Sequence, residues 1–505
     1  MTISINIFKN SIWNLLLFAS QGVTGIVTSI LIARYLGPEL MGEYSYIIWL
    51  VGAIALVISL GLPYTITKFL SELIGGEHKE YVKIIYAKLL QLQFIIALSI
   101  SIILMVIFYL KLLPGTRDYY LIAFLSLIPV CMSAFLTAVF QGLQNFRIIS
   151  IVGSFISLLQ TALVVLFIEL DAGLMGLIAI PLIGGLIQTV ILAKNTNLAI
   201  DFTGWLKIPK EIMDKVARYS LHVYWTILLS MLVWQKSEIF FLKIYSTSEA
   251  IAFYSIAFNI VLILVSLASL FAAVIFPVLS NFHGAGYTQG VQNIYAKSIK
   301  ALVIFYLPLC IFFIVTAKPL IVLMYSSEYS AVYPLLIILL VSALFSALGI
   351  IFANVILAVN RSDIQAKYVT LQAAVNIVLD LVLIPQFGAT GAALANSAIR
   401  IASFFVWLWI VQRQLGFSFP LKEVCICVLP NIPLAAILWA VGHYYPGSMG
   451  IVLVLLVSSF LYPVLLFVFK TITGDDIRIA KEVATILPAP YEKVINIFIN
   501  RVPIR

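Results

Sequence analysis

Residues 11–38 read SIWNLLLFASQGVTGIVTSILIARYLGP, and the first twenty-three of them carry no charge. At about 1.5 Å per residue such a run makes a helix ~34 Å long, enough to cross a hydrocarbon layer of about 30 Å. It closes on Arg34-Tyr35-Leu36-Gly37-Pro38 and not on a small-residue cleavage site, so it reads as a first membrane helix and not as a removable leader. Working outward, thirteen more runs of the same kind follow, at 44–66, 89–110, 120–140, 148–168, 174–192, 219–244, 254–276, 301–324, 333–357, 368–384, 391–411, 425–441 and 451–469. Helices are expected for all of them, because a helix satisfies its own backbone hydrogen bonds where no water can. The fold class is therefore all-α: a polytopic membrane protein of about fourteen transmembrane helices.

The composition agrees. Of 505 residues 63% are hydrophobic and 10% are charged, against about 25% charged in a soluble globular chain, which excludes a water-soluble fold. The net charge of +9 does not form a nucleic-acid patch, since Lys and Arg fall mainly in short loops between the apolar runs. With both termini placed in the cytoplasm, 23 basic residues lie on the cytoplasmic side, five lie outside (Arg34, Lys111, Arg117, Lys243, Lys318) and two lie within helices (Lys236, Arg400). The expected location is the cytoplasmic membrane, multi-pass. The longest connections, 195–218, 281–300 and the tail after 470, are all cytoplasmic in this reading, and the first and last suit short helices on the membrane surface. Cys131, Cys310, Cys425 and Cys427 have neither zinc nor disulfide spacing and read as structural.

The chain aligns with itself at an offset near 210, so that Tyr35, Glu39, Tyr44 and Ser45 recur as Tyr245, Glu249, Tyr254 and Ser255. Gly173-Leu174-Met175-Gly176 likewise overlays Gly388-Ala389-Thr390-Gly391. Six helices separate the copies, so the halves share one orientation, the arrangement of parallel-repeat transporters with a substrate site between the halves. The expected divisions are helices 1–6 in residues 1–205, helices 7–12 in 206–415, helices 13–14 in 416–470, and a cytoplasmic tail from 471 to 505.

Four stretches, taken in order, resemble a known family. They are Ala33 to Pro38 with Gly42-Glu43-Tyr44; Gly61-Leu62-Pro63 through Lys68; Tyr254-Ser255-Ile256-Ala257; and Asn376 to Asp380 with Leu383-Ile384-Pro385, Gly388 and Gly391-Ala392-Ala393. The chain over about residues 5–470 is similar to the multidrug/oligosaccharidyl-lipid/polysaccharide (MOP) exporter superfamily, in its polysaccharide and O-antigen flippase branch. The resemblance implies a V-shaped two-lobed fold that alternates between inward-open and outward-open states. It implies a lipid-linked oligosaccharide cargo carried from the inner to the outer leaflet, with cavity cations holding the diphosphate. Membrane lipids and other polysaccharide-assembly proteins are the further partners it allows; it implies no nucleic acid, no cofactor and no covalent chemistry.

Ionisable residues within membrane helices cost about 2.5–3.5 kcal/mol to insert, so each is a candidate site. Lys236 and Glu238 lie two apart on helix 7, about 200° around it and hence on opposite faces. The repeat maps Glu238 onto Thr28 of helix 1, within a polar stripe of Asn14, Gln21, Thr24 and Thr28, and so toward the cavity. Arg400, about nine residues into helix 12, is ~14 Å deep. It admits two readings: a fork for phosphate oxygens, or an ion pair with Asp380. Gln372, Asn376 and Asp380 share a face of helix 11, which suits helix packing more than cargo. At the ends of helices 4 and 10, Arg147 and Arg361 either draw anionic headgroups to the inner mouth or follow ordinary positive-inside placement. Arg34 and Lys68 sit at helix ends, and Pro63 is expected to kink helix 2 where a gate would bend. Glu238 and Asp380 are also the groups to bind a coupling ion, Na+ or H+.

Two alternatives stand beside the flippase. A cation-coupled multidrug exporter shares the fold, although helix 1 has no carboxylate for coupling. An integral-membrane polysaccharide polymerase or ligase needs a large outward loop, and His443 is the one outward histidine, beside Tyr444-Tyr445.

Overall fold

The computed structural model describes residues 2–75, 81–110, 117–196, 210–234, 237–359 and 361–471. Among these every regular element is helical. The helices are α1 (Thr2–Ser59), α2 (Leu62–Gly75), α3 (Tyr81–Tyr109), α4 (Arg117–Gly142), α5 (Phe146–Glu169), α6 (Gly173–Asn195), α7 (Lys210–Trp234) and α8 (Glu238–Tyr245). They continue as α9 (Ser248–Gly284), α10 (Thr288–Tyr325), α11 (Val332–Ala358), α12 (Ser362–Leu415), α13 (Leu421–Val428), α14 (Asn431–Tyr444) and α15 (Ser448–Val468). Eleven helical runs among the described residues are long and apolar enough to cross a membrane, and the chain is a multi-span membrane protein.

Two of those runs are far longer than one crossing. α1 has 58 residues and α12 has 54, each on the order of 80 Å if straight. Both are broken by a glycine in a backbone region closed to other residues: Gly37 at φ 72° and Gly388 at φ 56°. The break at Gly37 has its counterpart in the repeat where α8 gives way to α9, at Ser246 with φ −140° and ψ −166°. The two aligned stretches are thus interrupted at neighbouring positions of the alignment.

The expected helix 2, 44–66, is cut earlier than its hydropathy suggests, at Leu60 (φ 46°) and Gly61 (φ 72°). Pro63 therefore kinks nothing: it is the second residue of α2, in a first turn where a missing N–H costs little. The kink belongs to Gly61, whose Cβ, if it had one, would lie 2.8 Å from the Ser220 carbonyl oxygen. The expected helix 7, 219–244, begins at Lys210 and is interrupted: Ser237 is a turn residue, and Glu238 opens α8. The expected helix 13, 425–441, is broken at Leu429–Pro430, between α13 and α14. The tail after 471 and residues 197–209, where surface helices were expected, lie outside the described residues.

The chain divides into two compact units, one of residues up to Ile256 with Ala366–Ala395, the other of Ala257–Gln365 with the chain from Asn396. Apolar burial does not drive helices together in lipid, so close approach and polar contacts must hold each unit. In the first, Thr67 Oγ1 donates to the Ala138 carbonyl at 2.9 Å and Ser71 Oγ to that of Gly142 at 2.8 Å, tying α2 to α4. Gly142 permits this, because a Cβ there would meet Leu70 Cβ and the Thr67 carbonyl at 3.0 Å. Asn145 caps α5 by accepting from Ile148 N. In the second unit, Ser397 Oγ donates to the Ile338 carbonyl at 3.0 Å, docking α12 on α11, and Tyr462 Oη donates to that of Ile304 at 2.6 Å, docking α15 on α10.

Candidate functional site

In the first unit α8 and the first limb of α12 bring two carboxylates together in the interior. Glu238 and Asp380 are both fully buried. Ser237, the turn residue before α8, donates from Oγ to Asp380 Oδ2 at 3.4 Å. Asn376, one helical turn before Asp380, donates from Nδ2 to the same oxygen at 3.1 Å and to Ser237 Oγ at 3.1 Å. Asp380 Oδ1 is buried with no hydrogen-bond donor among the described residues. The charge of Glu238 acts on Asp380 directly, so the two carboxylates repel within a medium that already disfavours each. Gln372, also buried, extends the polar face by another turn.

The group gathers two carboxylates, a serine hydroxyl and an asparagine amide on two helices. A proton or a monovalent cation there removes the repulsion, and the oxygen donors suit a hard ion. No cluster of three or more His, Cys, Asp or Glu side chains forms among the described residues. The helical face seen in the sequence is present, and Asn376 bridges from it to Ser237, a polar packing contact of the kind expected there.

Arg400 lies in the second unit, 3% exposed. Its Nε donates to Asn396 Oδ1 and its Nη1 to Ser346 Oγ at 3.1 Å, and its guanidinium carbon is 5.5 Å from the centre of the Phe258 ring. Asp380, in the first unit, accepts from Ser237 and Asn376. Lys236, expected to face away from Glu238 on one continuous helix, lies outside the described residues.

The polar stripe of helix 1 does not act as one surface. Asn14 and Gln21 are exposed, whereas Thr24 is buried with its hydroxyl on the Ser20 carbonyl, and Thr28 shares a 3.0 Å hydrogen bond with Thr161 of α5. Lys68 is exposed with Nζ 3.9 Å from the centre of the Tyr219 ring, a cation–π contact between α2 and α7. Arg147 is exposed in the first turn of α5. Arg361 bonds locally, Nε to Asp363 Oδ1 at 3.2 Å.

One polar junction escaped the sequence reading. Glu43 Oε1 accepts from Lys243 Nζ at 2.7 Å and from Ser248 Oγ at 2.6 Å. All three residues lie in the two aligned repeat copies, 31–45 and 241–255; the alignment marked the segments as equivalent and gave no sign that they touch.

The family model described as "Polysaccharide biosynthesis protein" matches residues 7–283, more than half the chain. The chain belongs to the polysaccharide biosynthesis protein family. A second model, MatE, matches residues 226–382, the stretch that holds both Glu238 and Asp380. Among curated relatives of this polysaccharide biosynthesis family member, a Shigella flexneri protein named "Putative O-antigen transporter" is 23% identical over 81% of this chain and 99% of its own. A Haloferax volcanii protein named as a probable low-salt glycan biosynthesis flippase is 21% identical over 40% of this chain and 43% of its own. The fold matches the lipid II flippase MurJ in an inward closed conformation, with a TM-score of 0.77 at 15% identity, covering 91% of this chain and 98% of that one. An inward-facing multidrug resistance transporter of the MOP superfamily matches at TM-score 0.68 and 15% identity, covering 78% of this chain and 94% of the other. The polysaccharide biosynthesis family member is thus a MOP superfamily chain of the flippase branch.

Proposed function

We propose that the chain is an alternating-access transporter that flips a polyprenyl-diphosphate-linked oligosaccharide from the inner to the outer leaflet of the cytoplasmic membrane, coupled to a monovalent cation. The observation that carries the cargo is the family match across residues 7–283, supported by the full-length likeness to a protein named as an O-antigen transporter. The chain is a transporter and not an enzyme, in keeping with relatives and structural neighbours that are transporters and flippases by name.

The coupling reading rests on the Glu238–Asp380 pocket. Two buried carboxylates whose charges act on one another are costly, on the order of several kcal/mol per ion, until a cation neutralises the pair. An ion that enters from one side therefore changes the stability of the packing between α8 and α12, which is what coupling requires. Arg400 and Lys236 are the cationic candidates for the diphosphate. Each limb of α1 and α12 is read as a crossing, and α7 with α8 and α13 with α14 as one each, which with the other eight long helices makes fourteen; an even number sets both termini on one side, the cytoplasmic one by the distribution of Lys and Arg. Helices 1–6 and 7–12 then act as two lobes, with residues 416–470 appended.

The pocket also suits the second reading, a cation-coupled multidrug exporter, because the MatE match falls on it. Proteoliposomes separate the two. Movement of a fluorescent polyprenyl-diphosphate oligosaccharide under a Na+ or proton gradient is expected, with no uptake of a cationic dye. Dye uptake without lipid movement would overturn the flippase and leave the pocket in its coupling role.

A further inference from the structure

In the second unit α9 and α10 leave a groove of about 310 Å³ between them, a volume at the lower end of the range for ligand pockets. Its floor is buried and is made by Ala268 of α9 with Leu302 and Tyr306 of α10. Its rim is open: Phe271 is 37% exposed and Phe305 67%. Ala301, also on the rim and exposed, is too short to close it.

The order of residues along α10 sets the depth of the groove. Ala301 is the first residue of the apolar run 301–324, so the groove begins where the hydrocarbon begins and takes up its first turns, from Ala301 to Tyr306, about 8 Å along the axis. Lys297 stands one turn nearer the α9–α10 connection, ~6 Å from Ala301 along the axis and ~40° around it, and is half-buried. Lys300 is buried and lies ~100° from Ala301 on the other side, so Lys297 is the α10 lysine that borders the groove. A cation at headgroup depth directly above an apolar slot is the order in which an anionic glycerophospholipid presents its phosphate and its chains. On a convex helix face a lipid chain touches protein on one side only, whereas a slot with a buried floor surrounds it with partner atoms. A basic residue at the mouth of a cleft between membrane helices then selects among lipids by charge.

We infer that the α9–α10 groove is a binding site for an anionic phospholipid, with the phosphate at Lys297 and one acyl chain lying along Ala301 and Phe305 over Tyr306. The leaflet is the inner one under the topology proposed above, on which that assignment rests; the site itself depends on neither the cargo nor the coupling ion. Charge decides the occupant: a zwitterionic lipid brings its own cation up to Lys297 and gains nothing from it, while a lipid with net negative charge does.

The test is a binding measurement without transport, so its failure would leave the flippase reading intact. The delipidated full chain in detergent is titrated with phosphatidylglycerol and, separately, with phosphatidylcholine of the same acyl chains, and bound lipid is counted by native mass spectrometry. Phosphatidylglycerol is expected to fill a single site about five-fold more tightly than phosphatidylcholine. Lys297→Gln should erase that difference and Lys297→Arg should keep it, which separates lost charge from a damaged fold. Ala301→Phe places a ring in the slot from its exposed rim, where no core packing is disturbed, and should weaken both lipids. Equal affinity for the two lipids in the native chain, or a preference that survives Lys297→Gln or Ala301→Phe, would overturn the proposal. So would displacement of phosphatidylglycerol by a polyprenyl phosphate at a lower concentration than phosphatidylglycerol itself requires, which would give the groove to the carrier lipid.

Discussion

α12 carries two buried charges, Asp380 and Arg400, twenty residues apart on either side of the break at Gly388, and their surroundings are built on opposite plans. Around Arg400 the protein supplies acceptors and a ring face, Asn396, Ser346 and Phe258, so that a guanidinium with five donors is held in a fixed orientation. Around Asp380 it supplies a second acid and leaves one carboxylate oxygen without a donor among the described residues. A buried cation held by neutral hydrogen bonds is oriented and keeps its charge for an anion. A buried acid beside another acid is unfinished, and it becomes stable when something positive arrives. The difference separates a positioned arginine from the acid pair proposed as the coupling site.

The largest effect should come from the acid side. Asp380→Asn should lower cation-driven transport at least tenfold, and it should raise thermal stability in ion-free buffer by about 1–3 kcal/mol, because a buried repulsion is gone. In the native chain saturating Na+ or protons should supply that stabilisation instead, amounting to about 2.7 kcal/mol at a hundred times the dissociation constant. A variant that melted earlier than the native chain without ions would break the contrast between the two charges.

Arg400→Ala is expected to act in the other direction on stability. Asn396 and Ser346 lose their buried donor, at about 1–3 kcal/mol for each unsatisfied group, so the melting temperature should fall whatever ion is present. A folded, undiminished Arg400→Ala that no longer moves lipid would sharpen the comparison differently, by making Arg400 a cargo anchor with a merely incidental frame. Ser237→Ala removes one donor to Asp380 and one acceptor for Asn376. It should weaken ion-dependent stabilisation by about 1 kcal/mol and leave the ion-free melting point nearly where it was.

The smallest effect belongs to a solvent-exposed pair, Glu72–Lys215, the measure of how little a charge matters once water reaches it. The Lys215 hydrogen bond holds the Glu72 carboxyl below its usual range. Its folded value being depressed, the pair contributes above the ordinary carboxylate range and loses that contribution as pH falls through the folded value. Exposure limits the term to about 0–1 kcal/mol. Comparing the acid limb of stability curves for the native chain and Glu72→Gln should reveal a difference no larger than that; a larger one would show the junction to be drier than its exposure indicates.

Much of this was legible in the residues. Hydropathy marked the apolar runs, and the repeat of Tyr35-to-Ser45 in Tyr245-to-Ser255 pointed to corresponding interruptions, which appear at Gly37 and Ser246. Asp380, Glu238 and Arg400 stood out by being charged among apolar neighbours, and no coordinate was needed to single them out. The errors lie where hydropathy is blind. A glycine at positive φ cuts α1 from α2 at Gly61, yet in the sequence Gly61 is one apolar-compatible letter and Pro63 is the louder signal. The turn at Ser237 lies in Trp234-Gln235-Lys236-Ser237-Glu238, a polar dip within a run read as one helix.

The sequence by itself determined that this is an all-helical membrane chain with an internal repeat, because insertion into lipid is decided residue by residue and summed along a helix. It determined which charges are expensive. Only the tertiary structure decided their partners: Asp380 with Ser237 and Asn376, Arg400 with Asn396 and Ser346, Glu43 with Lys243 across two hundred residues of chain. Depth in a bilayer is a one-dimensional quantity that a sequence can carry. The direction in which a side chain leaves its helix, and which backbone comes close enough to meet it, depend on breaks and glycine contacts that no periodicity encodes.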